Sequence, residues 1–200
     1  MTTIIFTRHA ETVSNKLQKG QGSQHNTDLT INGIENTRAK CEILAKLNPE
    51  VIVTSESQRC KKTAKIIDDC LNTNNIISDS RLDGINLGNF TGSDYAVINN
   101  QLSKMILDSS LALPQGESLD EVRRRVIECL HYITDEYKGK TVLVIGHAII
   151  LKIVNIHFRN LSIDLLLDTN MPNEYISYMR FDQFKLKEYV NMTDSKYYCL

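Results

Sequence analysis

Two histidines and two arginines follow short apolar runs, and side chains of these types could together handle a phosphoryl group. The runs lie at residues 3–7, Val51–Thr54 and 141–145, and the four side chains that follow them are Arg8, His9, Arg59 and His147. A neutral imidazole is a competent nucleophile near pH 7. An arginine guanidinium binds phosphate through paired hydrogen bonds and keeps its charge, and a second histidine can bond a phosphoryl oxygen as its charge grows. If the fold brings the four together, they predict phosphoryl transfer through a histidine.

The three apolar runs are typical of strands that are buried on both faces, because their apolar residues are continuous and largely β-branched. Helical patterns lie between them. One covers residues 30–47 with Thr30 as its N-cap, and the clearest begins with the capping box Ser118–Glu121 and ends before Gly139. The same capping-box spacing at residues 55–58 predicts a helix directly after the second strand. Strands that alternate with helices predict an α/β fold: a three-layer, mainly parallel sheet with helices on both faces.

The C-terminal part of the chain has a different pattern. Residues 175–181 and 184–190 alternate apolar and polar side chains around Asp182 and Gln183, which predicts an antiparallel hairpin at an edge of the sheet. Residues 84–117 are less regular and could form a cap over the site. Since the sequence has no internal repeat or linker, we expect residues 1–200 to form a single domain. In such a sheet ligands bind beyond the carboxyl ends of the strands, which is where the four side chains of interest lie.

Five short motifs in the right order give the chain a resemblance to a known family. They are Arg8-His9-Ala10-Glu11-Thr12 with Asn15 and Gln21-Gly22, Ser55-x-x-x-Arg59, Leu82-x-x-Ile85-x-x-Gly88, Pro114-x-Gly116-Glu117-Ser118, and Gly146-His147-Ala148. This set resembles the histidine phosphatase superfamily, the phosphoglycerate-mutase-like proteins, in its phosphatase branch. Any one motif is weak by itself, but their order and their positions at strand ends make coincidence improbable.

The resemblance implies a role for each matching position. His9 would be the residue phosphorylated, and Arg8, Arg59 and His147 would form the phosphate pocket around it. Further positions that would line the pocket are Asn15, Gln21 and Gly22. The resemblance implies neither a metal ion nor an organic cofactor, because the arginines neutralise the charge that Mg²⁺ neutralises in other phosphoryl-transfer enzymes.

The sequence departs from the family where the proton donor is expected. Family members usually have a glutamate two residues after the leucine of the third motif, as the acid that protonates the leaving oxygen, and this chain has Gly84 there. Asp83 is our first candidate to replace it, and Glu117 of the fourth motif is the second. The third possibility is that the acid is missing, which would favour substrates with good leaving groups, since positioned acid catalysis is typically worth about 10²–10⁴-fold.

The leading functional hypothesis is therefore a phosphomonoesterase that hydrolyses a small phosphorylated metabolite through a phosphohistidine on His9. One alternative is a phosphoglycerate-type mutase, for which the chain looks short. The other is a catalytically weak module that binds phospho-ligands, which Gly84 suggests. The sequence does not indicate which substrate is used.

The composition of the chain indicates which binding partners and which cellular compartment to expect. The formal net charge of −1 gives no overall field that would attract nucleic acid or an anionic membrane, and no run of about 18 apolar residues is present. The five cysteines are scattered, which predicts reduced thiols: Cys41, Cys60, Cys70, Cys129 and Cys199. We expect a cytoplasmic monomer or homodimer that binds a small phosphate ester.

Overall fold

The sheet that the three apolar runs predicted has six strands. The computed structural model describes residues 1–23 and 25–193. Its strands are β1 (Thr2–Arg8), β2 (Val51–Thr54), β3 (Ile76–Ser78), β4 (Thr141–Gly146), β5 (Ile176–Asp182) and β6 (Lys185–Asn191), in the spatial order β3-β2-β4-β1-β5-β6. The first four in that order are parallel, and β5 and β6 are antiparallel. This confirms the mainly parallel sheet with an antiparallel hairpin at its C-terminal edge.

Helices cover both faces of this sheet. They are α1 (Val13–Lys16), α2 (Ile31–Leu47), α3 (Gln58–Leu71), α4 (Tyr95–Leu107), α5 (Leu119–Glu136), α6 (Ala148–Phe158) and α7 (Leu165–Asp168), with short 3-10 helices at Ser80–Leu82 and Gly88–Phe90. Alternate side chains of β1 point to opposite layers. Ile4 and Phe6 pack in the core with α4, α5 and α6, whereas Ile5 packs with α2 and α3. The three-layer arrangement follows from these two cores, because each strand of the centre buries both of its faces.

Two predicted helix starts are confirmed, and both have the expected hydrogen bonds. The Thr30 hydroxyl accepts the backbone N–H of Gly33 at the start of α2. At α5 the Ser118 hydroxyl accepts the N–H of Glu121, and the Glu121 carboxylate accepts the N–H of Ser118. Such a cap contributes about 1 kcal/mol to helix stability.

The helix that the sequence predicts after the second strand is present, but it starts two residues later than expected. The helix α3 begins at Gln58, and its N-cap Ser57 makes no side-chain capping bond. The Ser55 hydroxyl, which we expected to serve as the cap, accepts the backbone N–H of Ser57 at 3.1 Å and also donates to the Asp83 carboxylate. The hydroxyl therefore makes a local contact as acceptor and a long-range contact as donor.

Other expectations needed smaller corrections. The hairpin turn consists of Gln183 and Phe184, one residue later than predicted, since Asp182 pairs with Lys185. Strand β3 and helix α4 were not predicted. In the part of the chain that the structure describes, no helix is long and apolar enough to span a membrane. Cys41, Cys60, Cys70 and Cys129 are free thiols, and Cys199 lies outside the described residues.

Candidate active site

The carboxyl ends of β1, β2 and β4 bring the predicted side chains together. The backbone N–H of His9 donates to the carbonyl of Gly146 at 3.0 Å, which continues the β1–β4 pairing one residue past the strand. His147 follows directly as the N-cap of α6. The two imidazoles therefore lie side by side, with ring centroids 5.2 Å apart. Arg59 reaches the same place from the first turn of α3, and all four predicted side chains line one cavity of about 420 Å³.

His9 is held as a neutral imidazole with one defined proton. Its Nδ1 lies 2.7 Å from the carbonyl oxygen of Ala10, and a carbonyl only accepts, so Nδ1 carries the hydrogen. This leaves the lone pair on Nε2. Burial lowers the pKa of His9 well below its usual value, and the positive charges of Arg8 and Arg59 lower it further. The arrangement supplies an unprotonated nitrogen at neutral pH.

The two guanidinium groups donate hydrogen bonds to backbone carbonyls, but one N–H of each group has no acceptor. Arg59 donates from Nη2 to Gly22 O at 2.6 Å and from Nη1 to His25 O at 3.1 Å, and Arg8 donates from Nη1 to Met171 O at 2.6 Å. The Nε atom of each arginine is buried without a hydrogen-bond partner. A buried unpaired donor costs about 1–3 kcal/mol. Both Nε–H groups would gain an acceptor from a phosphoryl oxygen.

Both ring nitrogens of His147 have protein partners. Nδ1 accepts a hydrogen bond from Arg59 Nη2 at 3.0 Å, and Nε2 lies 2.9 Å from the hydroxyl oxygen of Ser55. Burial lowers the pKa of His147 well below its usual value, and the charges of Arg59, His9, Arg8 and Arg125 contribute in the same direction. His147 is thus also neutral in the free protein.

Neither candidate acid lines the cavity. The Asp83 carboxylate accepts the hydroxyl of Ser55 at 2.5 Å and the backbone N–H of Glu56 at 2.8 Å. The Glu117 carboxylate pairs with Arg125 and accepts the N–H of Asn86. The structure therefore does not bring either carboxylate into the cavity with His9.

Gly84 does line the cavity, next to Arg59. A Cβ atom at this position would lie 3.4 Å from Arg59 Nη2 and 3.2 Å from Gly22 O. A longer side chain here would start beside the guanidinium, and glycine supplies no proton donor. Among the described residues that line the cavity, Asp168 is the one carboxylate, and it is exposed on α7.

Asn15, Gln21 and Gly22 all line the cavity, as expected for pocket residues. The Asn15 amide caps α1 through Thr12 and donates from Nδ2 to Tyr95 Oη at 2.9 Å. The Gln21 amide is used within the protein at both ends, by Thr12 and Thr27. Their contacts hold the loop around the cavity, and the Gly22 carbonyl holds Arg59.

Sequence reasoning missed several residues of the cavity. Tyr95 lies close enough to Arg8 and Arg59 to interact electrostatically with both, and its hydroxyl accepts the Asn15 amide. Lys152 of α6 and Asp168 add one charge of each sign. A largely apolar wall faces them, with Ile85, Leu87, Ile98, Leu102, Leu167 and Met171. The spacing of Ile98, Leu102 and Met105 was a usable signal for α4, and it would have placed the first two on this wall. Residues 1–23 and 25–193 hold no group of three or more His, Cys, Asp and Glu side chains that could bind a metal ion.

Comparisons with known proteins agree with this geometry. A sequence profile described as the histidine phosphatase superfamily (branch 1) matches residues 4–193. The chain is 28% identical over 156 residues to a probable phosphoglycerate mutase GpmB of Serratia proteamaculans, covering 76% of this chain and 72% of that protein. It is 29% identical over 154 residues to the uncharacterized phosphatase PhoE of Bacillus subtilis, covering 74% of this chain and 72% of that one.

Solved structures show the same likeness in three dimensions. The Bacillus stearothermophilus protein YhfR superposes with a TM-score of 0.80 at 27% identity, covering 94% of this chain and 95% of that chain. The profile match, the paired imidazoles and the buried guanidinium groups lead to one conclusion: this chain belongs to branch 1 of the histidine phosphatase superfamily.

Proposed function

We propose that this protein is a phosphomonoesterase that hydrolyses a small phosphorylated metabolite through a phosphohistidine on His9. The observation that carries the proposal is that Arg8 and Arg59 line the cavity that His9 also lines, and that each has a buried Nε–H without a hydrogen-bond partner. A phosphoryl group is the ligand that satisfies both donors and meets the nucleophile at once. Its negative charge would also offset the electrostatic repulsion between the two guanidinium groups, which are close together in a buried place.

The reaction has two steps. First, Nε2 of His9 attacks phosphorus, the bond from phosphorus to the ester oxygen breaks, and its electron pair leaves with that oxygen, which takes a proton. Second, water attacks the phosphohistidine, releases inorganic phosphate and restores His9. Arg8 and Arg59 neutralise the equatorial oxygens throughout, which is the main demand of phosphoryl transfer.

The cavity supports a small substrate with an apolar part. Its volume of about 420 Å³ leaves room beyond a phosphoryl group, and much of its remaining wall is apolar side chains of α4 and α7. Lys152 and Asp168 offer one polar end. Relatives that are named a probable phosphoglycerate mutase and an uncharacterized phosphatase are in line with a phosphorylated substrate.

Substitution of His9 tests the proposal. We expect His9→Ala to abolish phosphate release from a panel of phosphate monoesters, and we expect wild-type protein quenched during turnover to carry an acid-labile phosphoryl group on His9. His131→Ala is the matched control, because His131 is an exposed histidine of α5 paired only with surface groups. Full activity in His9→Ala would exclude the proposed mechanism.

A catalytically weak phospho-ligand module is the second candidate, and Gly84 is the observation that favours it. The discriminating measurement compares an activated aryl phosphate with an alkyl phosphate. Turnover of neither, together with retained phosphate binding, would identify a binding module. A mutase would instead move the phosphoryl group between phosphoglycerates, so formation of the isomer faster than free phosphate would favour that activity.

A further inference from the structure

A chain of hydrogen bonds runs from the phosphate pocket to Asp83. Arg59 Nη2 lies 3.0 Å from His147 Nδ1, and His147 Nε2 lies 2.9 Å from the Ser55 oxygen. The Ser55 hydroxyl in turn donates to Asp83 Oδ1, which also accepts the N–H of Glu56. Ser55 is fully buried and His147 is 5% exposed. These contacts connect a carboxylate outside the cavity to an imidazole that lines it.

The donors and acceptors in this chain can be assigned without ambiguity. A guanidinium only donates, so Nδ1 of His147 must accept and the hydrogen of the neutral ring is on Nε2. Nε2–H then donates to the Ser55 oxygen, whose own hydrogen goes to the Asp83 carboxylate. The Nε2–H group is therefore used in the hydrogen bond to the buried Ser55. Nδ1 accepts the Arg59 Nη2–H in the free protein, so it can carry a proton for a ligand once that N–H turns to a bound phosphoryl oxygen.

We propose that Ser55 and Asp83 are positioning residues that act through His147, and that His147 carries at Nδ1 the proton that goes to the leaving oxygen. The proposal rests on the proposed function above. It assigns to a histidine the task for which Gly84 provides no side chain. It also gives Asp83 a role in the reaction that does not require Asp83 to enter the cavity.

The charges around His147 explain when it can be protonated. Arg8 and His9 face it from β1 and the residue after it, Arg59 and the Cys60 thiol from α3, and Arg125 from α5. These cations oppose an imidazolium in the free protein, where the pKa of His147 is well below its usual value. A bound phosphate ester brings negative charge to the Nδ1 side, and the Asp83 carboxylate stabilises Nε2–H from the other side. Binding of substrate and protonation of His147 therefore favour each other.

The proton balance closes over the two steps. In the first, Nε2 of His9 takes the phosphoryl group, and Nδ1–H of the His147 imidazolium gives its proton to the departing oxygen, which leaves as an alcohol. In the second, water attacks the phosphohistidine and gives its proton to the neutral His147. Inorganic phosphate leaves with that proton, as its monoanion, which restores the neutral His147 of the free protein, and the next substrate brings a proton when it binds as a monoanion.

Two substitutions test this role, and they disrupt the hydrogen bonds between His147 and Asp83 to different degrees. Asp83→Asn keeps an oxygen that can accept the Ser55 hydroxyl but removes the charge, and Ser55→Ala breaks the connection. Asp79→Asn is the matched control. Asp79 is a carboxylate of the same segment, but it bonds Arg81 and takes no part in the series of hydrogen bonds from Arg59 to Asp83. The substrates are 4-nitrophenyl phosphate, whose leaving group needs little protonation, and glycerol phosphate, whose leaving group needs it.

We expect both variants to lower kcat on glycerol phosphate by about 10–100-fold, while kcat on 4-nitrophenyl phosphate changes by less than about threefold. In Asp83→Asn the alkaline limb of the kcat profile should move to lower pH by about one unit, because the imidazolium loses a stabilising charge. Asp79→Asn should leave both properties unchanged.

An equal fall of kcat on both substrates, or an unmoved alkaline limb, would overturn the inference and indicate a merely structural contact. The phosphohistidine on wild-type His9 separates this failure from that of the proposed function. If the phosphohistidine forms and the leaving-group dependence is unaltered, only the role of Ser55 and Asp83 is wrong. If wild-type protein forms none, both proposals are wrong.

Discussion

Lys40 is a buried cation beneath the active site, and its burial makes the stability of the protein depend on pH. The residue is 3% exposed, and its Nζ donates to Thr7 Oγ1 at 3.0 Å, Arg8 O at 3.2 Å and Asn173 O at 2.9 Å. Burial lowers the pKa of Lys40 from its usual 10.5 to about 8, against the opposing effect of the Glu174 charge. Three hydrogen bonds therefore do not offset the loss of water around the ammonium group.

The sign of the pH effect follows from proton binding. Below pH 8 the side chain is charged in the folded and unfolded chains alike, so the folded state bears the full cost of the buried charge. Between pH 8 and 10.5 the unfolded chain holds a proton that the folded chain has released. The free energy of unfolding therefore rises with pH by about 1.4 kcal/mol per unit, and by about 3 kcal/mol over the window.

Urea unfolding of the wild type and of Lys40→Met measures this effect. Methionine keeps the length of the side chain without a titrating group, and the unpaired acceptors that it leaves shift stability equally at every pH. The difference between the two proteins also cancels other groups such as Cys41, whose pKa burial raises to about 12. We expect the free energy of unfolding of the wild type, relative to that of the variant, to rise by about 3 kcal/mol between pH 7 and 10.5. A difference that stays constant over this range would refute the reasoning.

Two further predictions concern catalysis. Gly84→Glu should raise kcat on glycerol phosphate by about 10–100-fold, because the new carboxyl group starts beside Arg59 and can protonate the leaving oxygen; an equal change on 4-nitrophenyl phosphate in the same steady-state assay would contradict this. The acid limb of kcat/KM, corrected for ionisation of the substrate phosphate, should lie below pH 6.5, since burial and two arginines hold the pKa of His9 well below that value. A limb at or above pH 6.5 would show that His9 is protonated more easily than its surroundings imply.

The features that could be predicted from the sequence are those with a strong local cause. The strands β1, β2 and β4 are continuous β-branched runs because both of their faces are buried, and the helix α5 has a complete capping box with a regular apolar stripe. The convergence of His9, Arg59 and His147 follows from parallel strands whose carboxyl ends share one edge. A short list of strand ends was enough to indicate the phosphate pocket.

The features that could not be predicted depend on contacts between distant segments. The Ser55 hydroxyl has the spacing of a helix cap, and no local signal shows that it also donates to Asp83, 28 residues later. Lys40 has the sequence context of a surface residue of α2. Its ammonium group is buried because β1 and the distant loop at Asn173 supply its acceptors. Tyr95 begins a helix whose place over the cavity is set by packing.

The pairing of β1 has a consequence for synthesis of the protein. β1 is made first, but its partners are made late: Thr3 pairs with Thr141 in β4, and Thr7 pairs with Ile176 in β5. At roughly 5–20 residues per second, the strand waits about 10–35 seconds on the ribosome before β5 exists. β4 begins at Thr141, 35 residues before β5 begins at Ile176, and until β4 is made this apolar, largely β-branched segment has neither of its strand partners. The strand that leads to His9 therefore exposes its apolar residues through most of the synthesis of this sequence.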